Sequence, residues 1–142
     1  MAPQTTALPA PAIVTQLERF ACALARRESA QGLNPAQWAA LRYIAQSTGE
    51  REPPTISGFA RLRLTTPSSG SQTVSSLVRL GLVTRASAAD KRQRPLELTP
   101  EGQVLLKRDP LRHLASMVAG LSTESVVAFS GVLDVVMKAL VL

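Results

Sequence analysis

The sequence predicts a mostly helical fold with one small β-hairpin, and three observations support this. Three segments begin with an oxygen-bearing residue before proline, which is typical of helix N-termini: Asn34-Pro35, Thr66-Pro67 and Thr99-Pro100. Two short segments, 82–85 and 95–98, are typical of strands, with period-two alternation in the second. The chain has 142 residues, 45% of them hydrophobic, which is enough for one domain with its own core.

The order of the elements follows from apolar spacing and from residues that end helices. Helices are predicted over residues 12–28, 35–46, 55–63, 67–80, 100–108, 111–119 and 123–140. Gln37, three residues after Asn34, indicates a capping box, and Ser122 is a further candidate cap. Asp109-Pro110 interrupts the fifth helix, because the residue before proline avoids helical geometry. Residues 1–11 contain three prolines and no basic residue, so we expect a flexible tail rather than a signal peptide.

The fourth helix has an unusual outer face. Its inward stripe contains Gly70, Thr73, Val74 and Leu77, and the opposite face is rich in serine. Serine is a mediocre helix former, so this face is a poor choice for stability alone. Short hydroxyl side chains instead favour close approach to another molecule.

The positive charge is concentrated in one segment. The net charge is +6, and residues 61–94 contain seven basic residues against the single acidic residue Asp90. The rest of the chain has nine basic and nine acidic residues, so the whole excess lies in this segment. A segregated basic segment is typical of proteins that bind polyanions. A run of charge taken alone is more often a solvated face. The position of this segment in the fold must therefore decide between a solvated face and a polyanion-binding surface.

The last predicted helix, 123–140, is apolar on nearly every side apart from a stripe that includes Asp134 and Lys138. A helix of this kind must be buried on several sides. A chain of 142 residues has little else to cover it, so a second copy is expected and the protein is predicted to be a homodimer.

The predicted elements follow the order of a winged helix-turn-helix: a helix, a short helix, a turn, the serine-faced helix and then a hairpin with a basic tip. In this motif the second helix of the helix-turn-helix enters the DNA major groove. Residues 33–44, 65–83 and 90–102 resemble the MarR family of regulators. The hairpin pattern Asp90-x-Arg92 is the most specific part. The resemblance implies one domain over 12–142, with a winged-helix DNA-binding lobe at 33–108 and dimerisation helices at 12–30 and 110–142.

The resemblance also implies site residues. Arg92 would enter the minor groove, oriented by Asp90, and the amide of Gln72 suits adenine. The predicted DNA-binding residues are Ser68, Ser69, Ser71, Gln72, Arg85, Lys91, Arg92 and Arg94.

Two possible signal sites follow from the same resemblance. Trp38, Arg42 and Tyr43 could line a small-molecule effector pocket, although a core position is favoured for Trp38 and a solvated one for Arg42. Cys22 matches the region where peroxide-sensing relatives have a reactive cysteine, but a buried, inert thiol is favoured. The single histidine, His113, is expected to be structural or exposed.

The predicted function is sequence-specific binding of double-stranded operator DNA by a cytoplasmic transcriptional repressor that a small molecule or oxidant releases. One histidine and one cysteine are too few for a metal cluster or a nucleophile–base pair, so no enzyme activity, metal or cofactor is expected. No apolar run is long enough for a membrane span. The alternative is a winged helix that binds another protein and not DNA.

Overall fold

The structure is a computed structural model that describes residues 7–29, 31–49, 51–87 and 94–141. Its elements are α1 (Ala10–Ser29), α2 (Pro35–Ser47), α3 (Ile56–Leu62), α4 (Pro67–Arg79), β1 (Val83–Arg85), β2 (Leu96–Leu98), α5 (Pro100–Leu106), α6 (Arg112–Ala119) and α7 (Thr123–Val141). The predicted mostly helical fold with a hairpin is therefore confirmed. The chain divides into two compact units between Pro110 and Leu111.

Side-chain caps begin α2, α4 and α5 at the predicted residues. Asn34 accepts a hydrogen bond from the Gln37 backbone nitrogen at 2.9 Å, and the Gln37 side chain accepts from the Asn34 backbone nitrogen at 2.9 Å. Thr66 caps α4 and Thr99 caps α5 in the same way, each accepting from the backbone nitrogen three residues on. Because these bonds satisfy N–H groups that have no partner within a helix, they fix where each helix starts.

The core of the first unit lies where α2, α3, α4 and the hairpin meet. Its fully buried large side chains are Trp38, Leu41, Ile44, Phe59, Val74, Leu77, Val83 and Leu96. Each such side chain stabilises the fold by about 1.5–3 kcal/mol relative to exposure. Val74 and Leu77 belong to the inward stripe predicted for α4, so this core fixes which face of α4 is turned outward.

Helices α3 and α4 approach each other closely. A Cβ atom at Gly70 would lie 3.2 Å from the Cβ of Ala60, so glycine permits the short distance between the two helices. In the turn between them, Leu64 has a left-handed backbone with φ of 53°, and the Thr65 backbone nitrogen donates to the Ala60 carbonyl oxygen at 3.0 Å. This turn is a Schellman motif with leucine at the position where glycine is usual.

The end of α4 is closed by the same motif with the usual residue. Gly81 has φ of 73°, and the Leu82 backbone nitrogen donates to the Leu77 carbonyl oxygen at 3.0 Å. The chain then enters β1, as the sequence predicted from Gly81.

The hairpin is antiparallel, with Val83 opposite Leu98 and Arg85 opposite Leu96. On the outer side of β2, the Leu96 backbone nitrogen donates to the carbonyl oxygen of Pro54 at 2.8 Å. The hairpin is thus fixed to the loop that precedes α3. Residues 88–93, which separate β1 from β2 in the sequence and were predicted to form the basic tip, lie outside the described residues.

The second unit contains α6 and α7, and neither helix has a buried residue. The exposed apolar side chains of α7 are Val127, Phe129, Val132, Leu133, Val135, Met137, Leu140 and Val141. Ser122 caps α7 by accepting from the Ser125 backbone nitrogen at 3.2 Å. Within the described ranges, no helix is both long enough and apolar enough to cross a membrane.

Candidate nucleic-acid interface

The outer face of α4 is open to solvent where the sequence predicted contact with bases. Ser68, Ser69 and Gln72 are exposed and Ser71 is half-buried. The Thr66 cap holds Ser69 at the start of the helix, since Thr66 accepts from the Ser69 backbone and donates to its hydroxyl. The face therefore presents small polar groups around one long amide side chain.

The first hairpin strand places an arginine beside this face. A terminal guanidinium nitrogen of Arg85 donates to the Ser75 hydroxyl oxygen at 3.0 Å. A shallow open groove runs between the helix and the strand, lined by Ser71, Gln72, Ser75, Val78, Arg79 and Arg85. The structure thus brings together Ser71, Gln72 and Arg85 of the predicted site.

Two polar residues of the groove, Ser75 and Arg79, were not among the predicted contacts. Both lie on the polar face of α4, four and seven residues after Ser71 and Gln72 respectively, so helical spacing alone could have identified them. Arg79 supplies a second guanidinium to the groove beside that of Arg85.

The remaining basic residues of the predicted site, Lys91, Arg92 and Arg94, lie between β1 and β2 in the sequence. Arg94 is half-buried, and its Nε atom is buried without a hydrogen-bond partner in the described part of the chain. Asp90, Lys91 and Arg92 lie outside the described residues. The roles predicted for these four residues stay predictions.

The three residues predicted for an effector pocket are all engaged inside the first unit. Trp38 is fully buried and its indole nitrogen donates to the Glu28 carbonyl oxygen at 3.2 Å, so the favoured core position is confirmed. The hydroxyl of Tyr43 accepts from the Thr55 backbone nitrogen at 3.2 Å, and its ring contacts Phe59. The effector-pocket role of Trp38, Arg42 and Tyr43 stays a prediction.

The expectation of a solvated Arg42 is wrong. Its guanidinium binds both carboxylate oxygens of Asp109, at 2.6 and 2.8 Å, and also contacts the Glu28 carboxylate at 3.2 Å. Burial opposes the charged form, but the hydrogen bonds and attraction from Asp109 and Glu28 outweigh it and raise the pKa of Arg42. Two acids far apart in sequence converge on this side chain, so the residue joins α1, α2 and the segment after α5.

The favoured expectation for Cys22, a buried thiol, is also wrong for the single chain, because the residue is exposed on α1. The one buried residue of that helix is Glu28, and even Phe20 is exposed. His113 is exposed as well, within the expected alternatives. Among the described residues, no group of three or more His, Cys, Asp or Glu side chains could hold a metal ion.

Part of the chain is similar in sequence to a known protein family. Residues 31–93, which begin before α2 and extend into the hairpin, match the sequence model of the MarR family. Over these residues the chain is similar to the MarR family. The predicted resemblance is thereby confirmed, and the matched segment contains α4 and its groove. None of the curated protein sequences compared with the chain matches it.

Solved structures are similar in fold over nearly the whole chain. The Staphylococcus aureus MepR–DNA complex is similar with a TM-score of 0.69 at 16% identity, covering 93% of this chain and 96% of that one. S. aureus MarR in complex with salicylate and kanamycin has a TM-score of 0.65 at 22% identity, covering 92% and 88%. A MarR family transcriptional regulator from Silicibacter pomeroyi has a TM-score of 0.66 at 23% identity, covering 92% and 88%. These structures establish the winged-helix fold.

Proposed function

We propose that the protein is a transcriptional regulator that binds double-stranded DNA sequence-specifically as a homodimer. The observation that carries the proposal is the exposed polar face of α4 with Arg79 and Arg85 beside it. An α-helix fits the major groove, where each base pair presents a distinct set of donors and acceptors. The MepR structure, which has the same fold, is a complex with DNA.

The residues of the groove divide into two roles. Gln72 has an exposed amide that can pair bidentately with adenine, so it is the residue proposed to read a base. Arg79 and Arg85 are proposed to contact phosphates, because arginine contacts to the backbone hold the protein in place but carry little sequence information. Arg92 and its orienting residue Asp90 are proposed for the minor groove, with Lys91 and Arg94 adding positive charge.

The dimer is proposed from α7. Its exposed apolar side chains lie on most sides of the helix, which a soluble protein rarely leaves uncovered. A second copy of the chain, placing the same surface against this one, is the simplest cover. Light scattering at micromolar concentration should give twice the chain mass of 15.1 kDa, and a monomeric mass would contradict the dimer.

The DNA-binding proposal is tested by selection from random duplexes, followed by titrations of the selected duplex at several salt concentrations. Binding through cations falls with salt, with a slope of about −0.9 per phosphate contacted on a log–log plot. Arg79→Ala and Arg85→Ala should each reduce this slope by about one. Arg19→Ala on α1 is the matched control and should leave it unchanged. Failure to enrich any sequence, with binding insensitive to salt, would favour the alternative of a protein-binding module.

Gln72→Ala and Arg92→Ala separate the two proposed readouts. Gln72→Ala should relax the preference at one A·T position by about 1–3 kcal/mol while leaving the salt slope unchanged. Arg92→Ala should weaken binding with little loss of folding. An unchanged affinity of the Arg92 variant for the selected duplex would reject the minor-groove role.

We further propose repression that a small molecule or an oxidant relieves. The thiol of Cys22 is exposed in the single chain, and the MarR structure of similar fold is a complex with salicylate and kanamycin. If the oxidant acts at Cys22, peroxide should release DNA from the wild type and not from Cys22→Ser. Equal release from both proteins would exclude Cys22 as the sensor.

A further inference from the structure

Gln37 uses both ends of its side-chain amide. The oxygen accepts from the Asn34 backbone nitrogen at 2.9 Å and completes the capping box of α2. The nitrogen donates to the hydroxyl oxygen of Ser76 on α4 at 3.0 Å, 39 residues along the chain. One side chain therefore connects the start of α2 to the helix proposed to read DNA.

The connection continues into the backbone of α4. Ser76 donates its single hydroxyl hydrogen to the Thr73 carbonyl oxygen at 2.6 Å, so its oxygen is the acceptor for Gln37. Thr73 directly follows Gln72, and Ser76 lies about one helical turn after Gln72. The chain of hydrogen bonds thus ends on the carbonyl next to the residue proposed to read a base.

We infer that Gln37 is a positioning residue that sets the rotation of α4 about its own axis, and with it the direction of Gln72. The inference rests on the proposed function. The apolar contacts of Val74 and Leu77 hold α4 against the core, but burial of apolar surface is not directional. A hydrogen bond is directional. Bidentate recognition of a base tolerates an error of only about 0.5 Å or 10–20°.

The capping role alone does not account for this arrangement. Glutamate serves a capping box as well as glutamine does, and its charge suits a helix N-terminus. Glutamate has no N–H group to donate to Ser76. Gln37→Glu therefore keeps the cap while removing the donor, and Ser76→Ala removes the acceptor while leaving the cap untouched.

The experiment compares Gln37→Glu, Ser76→Ala and the double variant with wild type. Ser29→Ala is the control, because Ser29 also donates to its own helix, at 2.8 Å from the Ala25 carbonyl oxygen, but is exposed on α1. Affinity is measured for the selected duplex and for a random duplex, each over a salt series, together with the thermal unfolding midpoint.

Each single variant should lose about three- to tenfold of the preference for the selected over the random duplex, which corresponds to one net hydrogen bond. Random-duplex affinity and salt slope should stay at wild-type values, since no cation is removed. The unfolding midpoint should fall by no more than a few degrees, which is the expected cost of one hydrogen bond. The double variant should lose no more than either single variant, because both changes break the same connection. Ser29→Ala should match wild type.

Three results would overturn the inference. One is full retention of the preference by both single variants while the wild type selects a duplex, which leaves the proposed function intact. Another is additive loss in the double variant. The third is an equal loss for both duplexes, which indicates damage to the fold. A wild type that prefers no duplex would instead overturn the proposed function, and this inference with it.

Discussion

The lobe formed by α2–α5 and the helix α7 differ in how far their apolar side chains are buried. In the lobe, Trp38, Ile44 and Leu77 are completely buried by neighbouring elements of the same chain. In α7, Val135 is 69% exposed and Leu140 is 74% exposed. The lobe buries its core within a single chain, whereas α7 has the composition of a core helix and is not buried by any described residue. The difference separates residues that stabilise the single chain from residues proposed to stabilise a dimer.

The largest effect on stability is expected from a substitution in the core of the lobe. Leu77→Ala removes a fully buried side chain between α4 and the core and should reduce the free energy of unfolding by about 2–5 kcal/mol. Denaturant unfolding followed by the fluorescence of Trp38, the single tryptophan, reports on this core directly. Val132→Ala on α7 is the control and should leave this transition nearly unchanged in a dilute sample. A loss below about 1 kcal/mol for Leu77→Ala would contradict the packing.

The next largest effect is expected on dimer association, from a substitution on α7. Val135→Asp places two unpaired charges, one per copy, in the proposed dimer contact, and should weaken association by about 3 kcal/mol, or roughly a hundredfold or more. Light scattering across a dilution series measures this change. The Trp38 unfolding transition of the monomer should remain cooperative. A dimer that persists at low micromolar concentration would place the interface on other residues.

Arg42→Ala should have an intermediate effect within the lobe. The change leaves Glu28 and Asp109 largely buried, close together and without their shared cation. Loss of about 2 kcal/mol of unfolding free energy is expected, less than for a fully buried pair because part of each group remains solvated. Arg42→Lys should restore only part of it, since an ammonium cannot bind the Asp109 carboxylate bidentately. Full rescue by lysine would show that charge alone matters.

The smallest effects on stability are expected from substitutions in the two Schellman turns. Leu64→Gly should stabilise the lobe slightly or leave it unchanged, by at most about 1 kcal/mol, because glycine adopts the left-handed backbone without the steric penalty of leucine. Gly81→Ala, at the matching position after α4, should destabilise it by about 1 kcal/mol. The two unfolding midpoints should move in opposite directions or the first should not move. A clear loss in Leu64→Gly would show that the exposed leucine makes a stabilising contact.

Whether a feature of the fold could be predicted depends on how far apart in the sequence the interacting residues are. The caps at Asn34, Thr66 and Thr99 act on residues three positions away, so local patterns identified them. The inward stripe of α4 follows from helical periodicity in the same way. The convergence of Glu28 and Asp109 on Arg42 spans 14 and 67 residues and has no local pattern, so the sequence favoured a solvated arginine.

The candidate site shows the same division. Gln72 was predicted from its place on the polar face of α4, but its link through Ser76 to Gln37 depends on how two helices pack. Leu64 illustrates a further limit, since leucine rarely adopts a left-handed backbone and nothing in the neighbouring residues signals that it does. The exposure of Cys22 likewise depends on what packs against α1, which its apolar spacing does not specify.

The hydrogen bond from Leu96 to Pro54 has a consequence for solubility. A two-stranded hairpin has outer edges whose free backbone groups can recruit strands from other molecules and start aggregation. Here a proline-containing loop occupies part of the outer edge of β2 and already accepts one of its N–H groups. At high concentration, other copies of the protein are therefore less able to pair with the outer edge of β2 and start aggregation.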